Sequence, residues 1–443
     1  MVEINKDLAL QNFQKIVRVK TVSNKDDEIY KEEFKRFLPL LKELYPNVFK
    51  VVSVIDVCNF GILLHWKGKN SARKPIVLMA HHDVVSDEGQ NWKHPAFDAE
   101  IIDDVIWGRG TIDNKCIFTA ILEAMEGLVR DGFTPERDIY FASSDSEEVA
   151  GDTMPQIAKW FEEKGIIPEY VLDEGGAVML ELPMGVKIPY AMIGLSEKGF
   201  AKITLKAYSK SAAHSAKAVS SKKSAPEQII DAVNAISKNP TPSTITPALE
   251  GMLKAFAPNV DAPLKQVFNN INLLKPVVKK AMESIPDAAA MIRTQITLTS
   301  LKAFNEKGTV PDEASATYSV RLAPQDKFDD ILAHIKKVVG DDIEIETEKM
   351  REAPPISDFH TEGFEYIKET VKKVYPGYGV SPFILNAATD SRHFAHLCNT
   401  YRFGAFAINN ELFATVHNED ERLPVKEFKQ SIDFYVEFMK GLK

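Results

Sequence analysis

The sequence predicts an α/β protein: a mixed sheet covered by helices, interrupted by an inserted ferredoxin-like α+β layer. Three observations carry this expectation. In the first part of the chain, short apolar runs alternate with segments of helical period, the pattern of a sheet covered on both faces. After about Gly199 the order becomes strand, helix, strand, strand, helix, strand, and the strands alternate apolar with polar residues, as in a ferredoxin-like layer. After Pro354 the first character returns. The expected division is therefore a main body of residues 1–197 and 349–443 and an inserted domain of residues 198–348.

Taken in order, Asp7 followed by Leu8, Leu10, Phe13, Ile16 and Val17 predicts an amphipathic first helix. A second is expected over 29–45. Residues 51–54, 61–65 and 75–79 read as strands, 115–130 as a helix, 138–142 as a strand, 154–164 as a helix and 170–172 as a short buried strand. In the insertion, strands are expected at 201–209, 294–302, 315–322 and 342–348, with helices at 225–237 and 328–339 and a helical excursion over roughly 247–290. Helices at 361–374 and 425–442 complete the main body.

The chain has 443 residues and a net charge of −9. An acidic balance argues against a nucleic-acid partner. Cys58, Cys116 and Cys398 are scattered and form no CxxC pair, which excludes a disulfide framework and a thiolate metal site. Any metal would rest on histidine and carboxylate. No apolar run reaches the ~20 residues of a membrane span, and the N-terminus lacks a signal-peptide pattern, so a cytoplasmic location is expected.

Several acidic and imidazole side chains fall at expected strand ends. His81-His82-Asp83 follows the apolar run 76–80, and the C-terminal edge of such strands is where ligands bind. In extended H-x-D, His81 and Asp83 share a face, so Asp83 could orient a metal-bound His81. His82 points the other way and reads as structural. Asp113, in Gly108-Arg109-Gly110-Thr111-Ile112-Asp113-Asn114-Lys115, precedes a helix and reads either as an N-cap or as a metal-bridging carboxylate. Asp145-Ser146-Glu147-Glu148 follows the next strand. Adjacent carboxylates there are either solvated or gathered around a cation. Asp173-Glu174-Gly175-Gly176 repeats the pattern, and His417 lies near the C-terminus. Each signal alone has an ordinary structural reading. Together they form a carboxylate and imidazole set suited to a pair of divalent ions.

The ordered motifs LMAHHDVV, WGRGTIDNK, SSDSEEVAGD, VLDEGG, SEKGF, AAHSA, VPDEASATYSVRLAP, TDSRHF and VHNEDER resemble the di-zinc metallopeptidase family of aminoacylases, succinyl-diaminopimelate desuccinylase and carboxypeptidase S. GRGTIDNK, EYVLDEGG, IGLSEKGF and ALEGMLKAFAP narrow the resemblance to the carboxypeptidase S and N-acyl-amino-acid hydrolase branch. The resemblance implies a di-zinc peptidase body with a lid and dimerisation domain inserted in it. It implies two divalent ions, zinc foremost, with cobalt or manganese as alternatives. His81 and Asp173 would complete one metal site, Glu148 and His417 the other, and Asp113 would bridge them. Asp83 would hold His81, and Glu147 would be the general base. His214 would polarise the scissile carbonyl, reaching across a homodimer in dimeric relatives. Arg321 would clamp the substrate carboxylate, and the Thr389 loop would line the pocket.

The implied reaction is hydrolysis of an amide bond next to a free carboxylate in a small peptide or N-acyl amino acid. A dipeptidase is the alternative within the family, and a catalytically silent peptide-binding homologue the alternative outside it. The retained Glu147 and ligand set argue for the enzyme. Departures from the family pattern are Ser146 where relatives often carry Asp, Gly308-Thr309-Val310-Pro311 where they often carry Asn-Val-Ile-Pro, and Ser86 in place of Pro. They bear on the substrate, not on the metals. His94 reads as a surface residue, with a place in a loop near the site as the alternative, and His393 and His396 are unassigned. Phe256, Phe268, Leu273 and Leu274 read as a helical core, with a greasy substrate channel as the alternative. Lys275, Lys279 and Lys280 read as a solvated face.

Overall fold

A computed structural model describes residues 4–24, 31–209, 223–304 and 310–442. His214, Gly308 and Thr309 lie outside them. Three apolar runs, Ile76–Met79, Ile139–Ser143 and Tyr170–Asp173, are buried along their full length. Continuous apolar strands of this kind belong in the middle of a parallel sheet. They lie side by side there, with Ile76–Met79 in the centre, parallel to both neighbours. The sheet has ten strands and is mixed. Val52–Ile55 and Ile62–Trp66 extend it antiparallel on one side. On the other side Asn399–Arg402 runs parallel to Tyr170–Asp173. The helices Lys115–Arg130 and Val425–Gly441 bury their apolar faces in one core with this sheet.

Because the three central strands are parallel, their C-terminal ends share one edge. His81, Glu147 and Asp173 all follow or end those strands. The topology thus joins segments that are far apart in sequence, for the ordinary reason that ligand sites form at such edges.

A second sheet of four antiparallel strands contains Gly199–Tyr208, Gln295–Lys302, Glu313–Leu322 and Glu344–Arg351. Its spatial order, second-third-first-fourth, is that of the expected ferredoxin-like layer. Only Lys198 separates its first strand from Tyr190–Glu197 of the large sheet. Its apolar core is its own, built by Ile203, Ile229, Val320 and Ile335 among others.

The helical excursion, Pro247–Phe256, Leu264–Asn269, Ile271–Glu283 and Pro286–Ile292, packs elsewhere. Its core is shared with Tyr190 and Met192 of the large sheet. It belongs structurally with the main body, although its sequence lies inside 198–348. Phe256 and Phe268 are buried in that core, whereas Leu273 is exposed and Leu274 half-buried. The core reading therefore holds for the two aromatics. No described helix is long and apolar enough to cross a membrane.

A third, three-stranded sheet joins Ile101–Ile102, Val105–Trp107 and Arg422–Pro424. Arg422 pairs with Trp107. This brings the segment after His417 against the turn that carries Asp113.

Candidate metal centre

His81 follows its strand into a buried position, only 3% exposed. Its Nδ1 lies 3.0 Å from the Asp83 carbonyl oxygen and 3.3 Å from Asp83 Oδ1. That fixes the ring and leaves Nε2 pointing at Asp113 Oδ1, 2.9 Å away. His417 Nε2 lies 3.0 Å from Asp113 Oδ2 and 3.0 Å from Glu148 Oε2. Asp113 therefore offers one oxygen to each imidazole. Donor atoms of His81, Asp113 and Glu148 all fall within 4.8 Å of one another.

Asp83 does more than orient His81. Its two oxygens accept the backbone N–H groups of Glu147 and Glu148, both at 3.1 Å. The residue is completely buried. One carboxylate thus locks the histidine and the paired glutamates in register.

The charges around this point do not balance within the protein. Burial and then the neighbouring Asp390 push Glu147 well above the usual carboxylate range. Burial and then Asp113 do the same to Glu174, and raise Glu148. Asp390 is pushed up to about 7 by burial, against the opposing pull of Arg392. Burial disfavours a charged His81, but Asp113 and Asp83 outweigh it and hold the imidazole well above its ordinary value. Hydrogen bonds to Asp113 and Glu148 push His417 up to about 11. Glu148 Oε1 is buried with no hydrogen-bond partner. Crowded carboxylates facing imidazole nitrogens, with a carboxylate oxygen left unpartnered, fit divalent cations held by nitrogen and oxygen.

The sequence pattern of peptidase family M20/M25/M40 matches residues 77–441. The chain belongs to this family. It is a hydrolase of the metallopeptidase type, and the clustered donors are its candidate metal site. A probable carboxypeptidase S-like protein of Dictyostelium discoideum is 34% identical over 97% of this chain and 84% of its own. An N-fatty-acyl-amino acid synthase/hydrolase of Mus musculus is 29% identical over 96% and 86%. Among solved structures, an M20 metallo-carboxypeptidase from Sulfolobus solfataricus superposes with a TM-score of 0.66 at 17% identity, covering 98% of both chains. Human carnosine dipeptidase 1 gives 0.65 at 14% identity, covering 98% and 96%. Both share the fold.

Against this M20 frame, the expected residues divide. His81, Asp113, Glu148 and His417 converge, with Asp83 behind them and Glu147 alongside. Asp173 does not converge in the same way. It is buried, and its Oδ2 accepts the Ser391 N–H at 2.9 Å. Its neighbour Glu174 is the carboxylate influenced by Asp113 and His81, and no protein group hydrogen-bonds it among the described residues. Gly175, at φ +103°, makes the turn that follows.

Thr389 also departs from expectation. It is 1% exposed, and its N–H and hydroxyl both donate to the buried Glu197 carboxylate, at 2.8 and 3.0 Å. It anchors its loop rather than lining a pocket. The loop reaches the site through Asp390 and Arg392 instead. Arg392 Nη1 lies 3.8 Å from Glu147 Oε1. Arg321 is exposed, its guanidinium 5.3 Å from the centre of the Phe200 ring. His82 is buried, contacts Ser143 Oγ at 2.8 Å and stacks on Phe37. Burial lowers its pKa to about 3, in keeping with its structural reading. His94 pairs with Glu100 and His396 with Glu162.

Glu421, Arg109 and Gln90 were missed by sequence reasoning. Their signal was faint: Arg109 lies inside a recognised motif and Glu421 four residues after His417.

Proposed function

We propose that this protein hydrolyses an amide bond adjacent to a free carboxylate, in N-acyl amino acids or at the C-terminus of small peptides. The observation that carries the reading is Asp113, whose two carboxylate oxygens face His81 and His417 separately. That posture suits a carboxylate shared between two divalent ions, for which zinc is the first choice. His81 and Asp113 with Glu174, and Asp113 with Glu148 and His417, would hold them. Bound there, such ions would lower the pKa of a shared water and polarise the scissile carbonyl.

The rest of the reaction falls to the chain's own side chains. Glu147, 11% exposed and fixed through its N–H to Asp83, accepts the water's proton and passes it to the leaving nitrogen. General-base function of this kind needs a group with a raised pKa beside the reacting atoms, and burial among carboxylates supplies that. Arg392, 3.8 Å from Glu147, favours an anionic substrate, and Arg321 on the smaller sheet would clamp its carboxylate. The smaller sheet, with its separate core, would close over the edge as a lid. His214 would enter from it, from the same chain or from the second subunit of a homodimer.

The names of the relatives support a carboxypeptidase or an N-fatty-acyl-amino-acid hydrolase equally. The test is a panel of N-acyl amino acids of varied chain length, with dipeptides alongside, after reconstitution with zinc, cobalt or manganese. Turnover of carboxylate-bearing amides with about two ions per chain is expected. No hydrolysis with any of the three metals would refute the reading, and preference for dipeptides alone would shift it to a dipeptidase.

A further inference from the structure

The helical excursion changes how the main body and the smaller sheet are joined. Residues 247–292 pack on the main body, although the chain on both sides of them builds the smaller sheet and its helices. The backbone therefore passes between the two parts four times. It crosses at Lys198, between the helix Ala225–Lys238 and the excursion, between Ile292 and Gln295, and after Arg351.

These passages are fastened in two pairs. At the first and fourth, Ser196 Oγ donates to the Pro354 carbonyl at 2.7 Å, and the Ser357 N–H donates to the Leu195 carbonyl at 2.9 Å. The two run so close that a Cβ on Gly199 would stand 2.5 Å from the Arg351 carbonyl oxygen. At the second and third, Ser243 bridges Arg293 in antiparallel fashion. There the Thr244 N–H donates to the Ile292 carbonyl at 2.7 Å and the Thr241 hydroxyl to the Thr294 carbonyl at 2.6 Å.

Lys198 ties one pair to the other. It is only 3% exposed. Its Nζ donates to the Ala290 carbonyl at 2.6 Å and to Gln295 Oε1 at 3.1 Å. Ala290 lies in the last helix of the excursion, Pro286–Ile292, and Gln295 opens the strand Gln295–Lys302 of the smaller sheet. One ammonium thus grips both ends of the third passage from within the first. Both acceptors are neutral, and no carboxylate comes within ion-pair distance of Nζ among the described residues. Burying an ammonium costs free energy unless its donors are satisfied, and bonds from a charged donor are strong. The arrangement therefore favours the one geometry in which both acceptors are in reach. Turning the smaller sheet against the main body moves Gln295 relative to Ala290 and breaks one of the two bonds.

We infer that Lys198 is a positioning residue, which fixes the angle at which the smaller sheet stands over the edge that carries the metal centre. Its effect on turnover rests on the amide-hydrolase reading, whereas the joint itself does not. With Lys198 in place the sheet is set before substrate arrives. Without it, a smaller fraction of molecules holds the sheet in place, and apparent affinity falls by that fraction. The candidate metal ligands and Glu147 belong to the main body and keep their places.

The test compares wild type with Lys198→Met, Lys198→Arg and Gln295→Ala, all reconstituted with zinc. Backbone hydrogen exchange is measured without substrate, and kinetics with the best substrate of the panel. Lys198→Met keeps the apolar stem and loses both bonds. Peptides covering 239–246 and 290–296 then lose protection, while those covering Ile139–Ser143 keep it. Metal content is unchanged, and KM rises by roughly 10-fold with kcat little altered. Lys198→Arg keeps a charged donor and restores part of both effects. Gln295→Ala loses one acceptor and moves protection and KM the same way by less, and it serves if Lys198→Met does not fold. Wild-type protection of both passages in the folded variants overturns the joint. A fall in kcat with KM unchanged overturns the positioning role. If wild type hydrolyses nothing in the panel, the hydrolase reading fails, and exchange alone decides the joint.

Discussion

Glu421 holds the turn that presents Asp113. Its Oε1 accepts the N–H groups of Ile112 at 2.8 Å and Asp113 at 3.0 Å, and its Oε2 faces Arg109 Nη1 at 2.8 Å. Gly110, at φ +88°, bends the chain so that its own N–H reaches the same carboxylate. Arg109 Nη2 in turn donates to Gln90 Oε1 at 2.6 Å, and Gln90 Nε2 donates to the His417 carbonyl at 2.9 Å. One buried carboxylate therefore connects Asp113 to the loop of His417.

Glu421→Ala should accordingly weaken metal binding without touching a ligand. Losses of about 10- to 100-fold in affinity are typical when a supporting partner is removed. The change also strands Arg109, 1% exposed, at a cost of about 3–5 kcal/mol of stability. Chelator competition and thermal unfolding measure the two effects. Wild-type affinity in a folded Glu421→Ala protein would show that the turn holds itself.

Asp83→Ala should be more damaging to the metal site than any other change outside its ligands. It frees the His81 ring and also the N–H groups of Glu147 and Glu148. Metal content after dialysis should fall, and activity should recover only partly at high zinc. Full retention of both ions would show that backbone packing alone orders the cluster.

Glu147→Gln preserves shape and removes the proton acceptor. Turnover should drop by about 100- to 10,000-fold while both metals stay bound. Near-normal turnover with intact metal would assign the base elsewhere.

Much of this arrangement was legible in sequence because the central strands are uninterrupted apolar runs followed at once by polar residues. Ile76–Met79 before His81, and Ile139–Ser143 before Glu147 and Glu148, announce a strand edge with chemistry on it. The ferredoxin-like order was legible for a different reason: Gly199–Tyr208 and Glu313–Leu322 alternate from face to face along their length. What could not be read were contacts that depend on sheet order. Nothing in the sequence places Arg392 beside Glu147, because that contact requires Asn399–Arg402 to pair with Tyr170–Asp173. The packing of residues 247–292 onto Tyr190 and Met192 was hidden too, since the strand Tyr190–Glu197 is buried throughout and shows no alternation. Glu421 was obscured by the acidic run around it, in which Glu419 and Asp420 look equally suitable.

The choice between Asp173 and Glu174 is a sharper instance. Successive residues at the end of a strand point to opposite faces, so only one of the pair can reach the metals. Family resemblance pointed to Asp173. Two observations favour Glu174: Asp173 accepts the Ser391 N–H at 2.9 Å, while burial and the charge of Asp113 raise the Glu174 carboxyl and no protein group hydrogen-bonds it among the described residues. Asp173→Asn keeps an oxygen for Ser391, so the protein should retain about two ions per chain and much of its activity. Glu174→Gln keeps volume but replaces an anionic ligand with a weak neutral one, and one ion should become easily removed. Metal analysis after equal dialysis of the two variants separates the assignments. Loss of an ion from Asp173→Asn, with Glu174→Gln intact, would restore Asp173 as the ligand.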